Sequence, residues 1–277
     1  MTATRYGIDF SGASDAGHGI WIATATADGD ALLIEDCRSA ADRFGVADRA
    51  PCLGRLVEFL RDAPVAGLDF PFGVPAALHD RADWPGAVEW VTTVAHDADG
   101  FQRECKDRAE SVPGSDRTNL LRETDGPVGA MCPYAQYVYK QTFHGIRDVL
   151  APLARDPEVA VEPMGAGANG GGSSDGSDGP TRLCEVYPAA TLAGLDLPAE
   201  AYKDDGGRAR DRRRAIVDGL EAETPVEYAE GVRGRLVDDA GGDAIDSVVA
   251  ALATHRAESG GFEPDRPYDG REGHIYV

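Results

Sequence analysis

Lysine is almost missing from this sequence. Of its 27 basic residues only Lys106, Lys140 and Lys203 are lysines, so arginine carries nearly all the positive charge, and 48 acidic residues leave a net charge of −21. Nucleic acid partners usually need a basic surface, and a chain this acidic argues against them on its face. Lysine poverty with acids spread along the whole chain resembles proteins of a salt-rich cytoplasm, where screening acts over a few ångströms and only local basic clusters inform about partners. Long apolar runs are also lacking, which argues against a membrane-spanning helix, and the start MTATRYGIDF has no basic-then-apolar layout. A cytoplasmic location is therefore expected. The five cysteines, Cys37, Cys52, Cys105, Cys132 and Cys184, are odd in number and scattered, which points to reduced, structural residues. No histidine or cysteine spacing suits zinc, Ser11 lies outside any nucleophile-elbow frame, and the glycine-rich stretch 165–179 lacks the Lys-Ser/Thr ending of a phosphate loop.

What the chain does hold is a repeated phrase. RYGIDFSGA (5–13) and VAGLDFPFG (65–73) each run a short apolar stretch into one acid, Asp9 or Asp69, and then turn on glycine or proline. An acid at the end of a buried strand is costly unless it binds something there. Segments 19–26 and 31–37 read as two more strands joined through Asp28-Gly29, a hairpin signal that makes strand one the start of a three-strand meander. Residues 50–63 carry Leu53, Leu56, Val57 and Leu60 at helical spacing. Residues 74–156 read as a mostly helical insertion: a short helix at 75–80, further helices at 85–94 and 97–110, a loop at 111–133, and a long helix at 134–153 with Tyr137 among its core residues. Strands are expected at 158–163 and 182–188, with Glu185 in mid-strand, and 165–179 reads as a flexible surface loop.

Late in the chain, residues 208–220 form a helix whose start holds the one dense basic patch, Arg208, Arg210, Arg212, Arg213 and Arg214. The last helix, 242–257, sets Asp243 and Asp246 one turn apart, so both leave one face, and its small residues allow close approach to the sheet. Simple capping of that helix is the competing role for the two acids. The tail ending HIYV offers an edge strand.

GIDFSGA, GLDFPFG, CEVYPAATL, RARDRRRAIVDGL, GGDAIDSVVAALAT and EGHIYV together resemble the family called domain of unknown function 429, a family of predicted nucleases with a ribonuclease H-like fold. The resemblance implies a single α/β domain over 1–277. Its central mixed sheet would have an antiparallel meander followed by parallel strands, with helices flanking it. It also implies metal-binding acids at Asp9, Asp69 and Asp243 or Asp246, with Glu185 as a further catalytic group, and it matches Arg122 to Asp125 to a recurring basic-x-Thr-Asp segment.

Clustered carboxylates raise one another's pKa, and Mg2+ or Mn2+ relieves that with oxygen ligands. Two such ions about 4 Å apart would activate water and stabilise the leaving oxygen of a phosphodiester. The expected function is metal-dependent nucleic acid hydrolysis, with Arg122, Lys203, Arg208, Arg212 and Arg213 as phosphate contacts. The competitors are a phosphotransferase of the sugar kinase and actin type, which usually needs two such domains, and a degenerate nuclease fold acting as a binding module.

Overall fold

Residues 3–114, 118–165 and 179–277 are described by the computed structural model. They form the strands β1 (Ala3–Asp9), β2 (Trp21–Asp28), β3 (Ala31–Ser39), β4 (Val65–Asp69), β5 (Val159–Glu162), β6 (Thr181–Val186), β7 (Val226–Tyr228) and β8 (Ile275–Tyr276). Gly29 takes the left-handed turn between β2 and β3 at φ 61°, as the Asp-Gly signal requires. One mixed sheet results, in the order β5-β6-β4-β1-β2-β3-β7. The meander β1-β2-β3 is antiparallel, whereas β4 runs parallel to β1, β6 to β4, β5 and β8 to β6, and β7 to β3. β8 takes the edge of β6 beyond the end of β5, pairing Glu185 with Ile275.

Helices cover both faces because the strands alternate. Ile8, Ile22 and Leu68 face one cluster, while Ala23, Ala25 and Ile34 face the other. The first face receives α1 (Ala16–Gly19), α2 (Ala40–Phe44), α3 (Arg49–Arg61) and the insertion. The insertion comprises a 3-10 turn at Ala76–Leu78, α4 (Trp84–Val94), α5 (Ala98–Glu110), α6 (Asp125–Val128), α7 (Tyr139–His144), a π-helix at Gly145–Leu150 and α8 (Ala151–Ala154). Asp83 and Asp97 cap α4 and α5 by accepting from the amides of Gly86 and Gly100 at 2.9 and 2.7 Å. The second face receives α9 (Pro188–Gly194), α10 (Gly207–Glu223), α11 (Val232–Asp238) and α12 (Asp243–Ser259).

Two expectations need correction. The helix read at 134–153 begins only at Tyr139, because residues 132–138 close as turns through bonds such as Ala135 N–H to the Cys132 carbonyl. Tyr137 is thereby 85% exposed and no core residue. The second concerns the sheet, which gains the three-residue strand β7 beside β3 where no strand is expected. The loop read at 165–179 lies outside the described residues except at its two ends. The five cysteines are free and buried. Among the described residues no helix is long and apolar enough to cross a membrane.

At the edge formed by β8, His274 is fully buried, and Asp265 Oδ1 lies 3.4 Å from its Nε2. Burial pushes its imidazole down to about 4. The neutral ring contributes stability above its ordinary value near 6.5, and that contribution is lost as pH falls toward 4. Unfolding midpoints from pH 7 down to 4 should therefore fall faster for the wild type than for His274→Phe, by up to about 3 kcal/mol. Parallel curves would contradict this account.

Candidate functional site

Parity places the first two acids. Gly7 and Asp9 are two residues apart on β1, Gly67 and Asp69 two apart on β4, so each glycine and its acid share the sheet face that α12 covers. The strands pair in register, Gly7 beside Gly67 and Asp9 beside Asp69. A Cβ at Gly7 would lie 2.1 Å from Ala251 N and from the Ser247 carbonyl, and one at Gly67 would lie 2.0 Å from Thr254 Oγ1. The helix therefore rests on the sheet where side chains are absent, through Ser247, Ala250, Ala251 and Thr254. Its first turn, with Asp243 and Asp246, extends to the strand ends. Gly7→Ala should cost about 3 kcal/mol in denaturant unfolding. Gly54→Ala, on the open side of α3 with nothing within 4 Å, should instead gain about 0.5–1 kcal/mol. Equal effects would remove the close approach from the argument.

The acids at α12 do not cap it. Asp239 does, its Oδ2 accepting from Ala244 N at 2.9 Å. Asp246 is almost fully buried and bonded on both oxygens: Tyr202 Oη donates to Oδ1 at 2.5 Å, and Lys203 Nζ stands 2.5 Å from Oδ2. The same ammonium lies 3.8 Å from Asp243 Oδ1, and Asp243 adjoins Asp9. Burial raises the Asp9 carboxyl well above the usual range, Asp246 raises it further, and Lys203 opposes both. Asp69 is pushed up to about 8, by burial and then Asp246. Asp243 rises to about 6 through burial, against the pull of Lys203. Burial works against the Lys203 ammonium, and Asp246 and Asp9 outweigh it, so it stays charged. The phenol of Tyr187, raised by burial and then by Asp69, adjoins the same cluster.

The structure brings Asp9, Asp69, Asp243, Asp246 and Lys203 together, and sets Glu185 and Arg122 in a pocket beside Asp69, where they bond to each other. Arg122 is buried at 2% exposure. Its Nη2 donates to Asp125 Oδ1 at 2.7 Å and Glu185 Oε1 at 2.6 Å, and its Nη1 to Glu185 Oε2 at 2.8 Å and the Glu272 carbonyl at 3.1 Å. Glu185 also accepts from Phe72 N at 2.9 Å, so it ties the turn after β4 to Arg122. Both oxygens are thus committed to structure, although burial raises its carboxyl and it adds to the repulsion on Asp69. Arg213 is likewise buried, with Nε on the Val237 carbonyl at 2.9 Å and Nη1 on the carbonyls of Tyr202 and Asp204 at 2.6 and 2.8 Å. Arg208 and Arg212 are exposed, and Arg212 donates to the Glu200 carbonyl at 3.0 Å. The role of Tyr202 was not foreseen. Its one sequence signal is its place beside a rare lysine.

A hard divalent cation takes oxygen donors, and this donor set, four carboxylates, has that chemistry. Among the described residues, however, no group of three or more histidine, cysteine or carboxylate side chains is arranged to hold a metal ion as it stands. The Lys203 ammonium is drawn in among them instead. Residues 172–269 match the family described as protein of unknown function (DUF429), in keeping with the motifs. That stretch contains Glu185, Lys203, the α10 arginines, Asp243 and Asp246, and leaves out Asp9 and Asp69. No curated protein and no solved structure matches the chain.

Proposed function

We propose that this chain, matched over residues 172–269 to the DUF429 family, is a metal-dependent nuclease of ribonuclease H-like fold that hydrolyses phosphodiester bonds. One observation carries the reading. Acids from three distant segments, the ends of β1 and β4 and the first turn of α12, converge where burial and mutual repulsion raise Asp9, Asp69 and Asp243 together. Such a cluster costs stability, and perturbed carboxylates gathered at one place are a signature of function. The sheet supports the fold assignment: a meander β1-β2-β3 extended by parallel β4 and β6 on the β1 side, with a late helix bringing acids to the ends of β1 and β4.

Asp9, Asp69, Asp243 and Asp246 would hold Mg2+ or Mn2+. When bound, the ion would supply Lewis-acid activation of water and offset the negative charge that develops on the oxygens of the attacked phosphate. The chain's own part is to aim the oxygens. Glu185 fixes the turn after Asp69, Asp239 fixes the start of α12, and Tyr202 sets the rotamer of Asp246. Arg208 and Arg212, exposed on α10, and the half-exposed Lys203 are the candidates for phosphate contact.

The test is cleavage of labelled DNA and RNA, duplex and single-stranded, by the purified protein with Mg2+ or Mn2+, at low and at molar salt. Cutting that chelator abolishes is expected. Absence of cutting on every substrate, with Mn2+ bound, would leave a binding module. Absence of both cutting and Mn2+ binding would overturn the reading.

A further inference from the structure

Lys203 is mounted with unusual care for a half-exposed lysine. Its side chain is 48% exposed, yet its Nζ lies 2.5 Å from Asp246 and 3.8 Å from Asp243. The backbone on either side is fixed by Arg213, which bonds the carbonyls of Tyr202 and Asp204. Gly242, at φ 76°, closes the mount: a Cβ there would meet the Tyr202 ring at 2.8 Å and Lys203 Cγ at 3.0 Å. The base of the side chain is thus held while its outer part reaches both solvent and acid cluster.

The choice of residue also matters. This chain uses arginine for almost every other positive charge, including the permanently buried pairs of Arg122. Arginine's fork suits a fixed bidentate pair, whereas lysine offers a compact charge on a flexible stem. A single ammonium also cannot neutralise four carboxylates. A divalent ion placed among the same oxygens would repel it strongly at a few ångströms.

We propose that Lys203 is an exchangeable counter-ion: in the metal-free protein its ammonium holds the Asp246 and Asp243 carboxylates in place, and an arriving divalent cation displaces it toward the substrate's phosphate. This rests on the metal-dependent reading of the site. Lys203 is here a positioning residue for the acids before metal arrives and a phosphate contact afterwards.

The experiment is a Mn2+ titration of the full chain at mildly alkaline pH, followed by electron paramagnetic resonance of free Mn2+ and by the Mn2+-induced rise in melting temperature, for wild type, Lys203→Met and Lys203→Arg. Lys203→Met should bind Mn2+ at least about tenfold more tightly, because the competing charge is gone. Lys203→Arg should stay at or above the wild-type dissociation constant. With saturating Mn2+, Lys203→Met should raise KM for the cleaved strand more than it lowers kcat. Equal or weaker Mn2+ binding by Lys203→Met than by wild type overturns the exchange and leaves the nuclease reading standing. No Mn2+ binding by any of the three proteins overturns both. Circular dichroism of each variant separates a folding defect from a binding one, and Lys203→Arg remains an informative comparison should Lys203→Met fail to fold.

Discussion

Asp9→Asn is expected to abolish hydrolysis, by about 10³-fold or more, while making the metal-free protein more stable. The two effects have opposite sign because one carboxylate serves chemistry at the expense of the fold. Asp9 is 7% exposed, adjoins Asp243, and has its carboxyl raised by burial and by Asp246. An amide of the same shape removes one charge from the cluster. For a chain of this size each kcal/mol gained appears as about 2–4 °C in melting temperature.

The pH dependence follows from Asp69, pushed up to about 8 from an ordinary value near 3.8. A carboxyl whose folded value is raised binds its proton more tightly in the folded chain. Its ionisation therefore costs stability increasingly as pH rises from about 4 to 8, and no further beyond. The stability advantage of Asp69→Asn over wild type should widen across that window and then stay flat. It should shrink when Mn2+ is added to both, since bound cation stabilises only the protein that takes it up. A variant less stable than wild type at pH 8 without metal would show that these acids support the fold rather than burden it.

Arg122→Met is expected to destabilise the protein by about 3–5 kcal/mol, enough to reduce the folded yield sharply. The guanidinium is the shared partner of Asp125, fully buried, and of Glu185, 2% exposed, and removing it leaves two uncompensated charges in the interior. Arg122→Lys should recover little, since one ammonium cannot reproduce the bonds from Nε, Nη1 and Nη2. The triple variant Arg122→Met, Asp125→Asn, Glu185→Gln should be less damaged than Arg122→Met alone. Denaturant midpoints measure this coupling directly. Additive losses would mean that the three side chains do not act as a unit.

The strands and the acids were legible because their signals are local. GIDF and GLDF announce a buried strand ending in a charge, Asp28-Gly29 announces a hairpin, and the stripe of Ile245, Val248, Val249 and Leu252 announces α12. The partners of the charges were not legible. Arg122 meets Glu185 across 63 residues of sequence and Lys203 meets Asp246 across 43, separations that leave no periodic trace. Arg122 and Arg213 read as surface cations by type, and only the count of carbonyls and carboxylates around them shows that they are interior fasteners. The same blindness hid the capping role of Asp239, four residues before the helix it starts.

The interval from Gly7 to Asp9, repeated from Gly67 to Asp69, acts as a fixed ruler. Inserting or deleting one residue inside either interval would turn its carboxylate to the opposite side of the sheet, among the aliphatic side chains around Leu68 and Phe70, while the other acid kept its place. Chains built on this plan therefore have no freedom in the two steps that precede each acid.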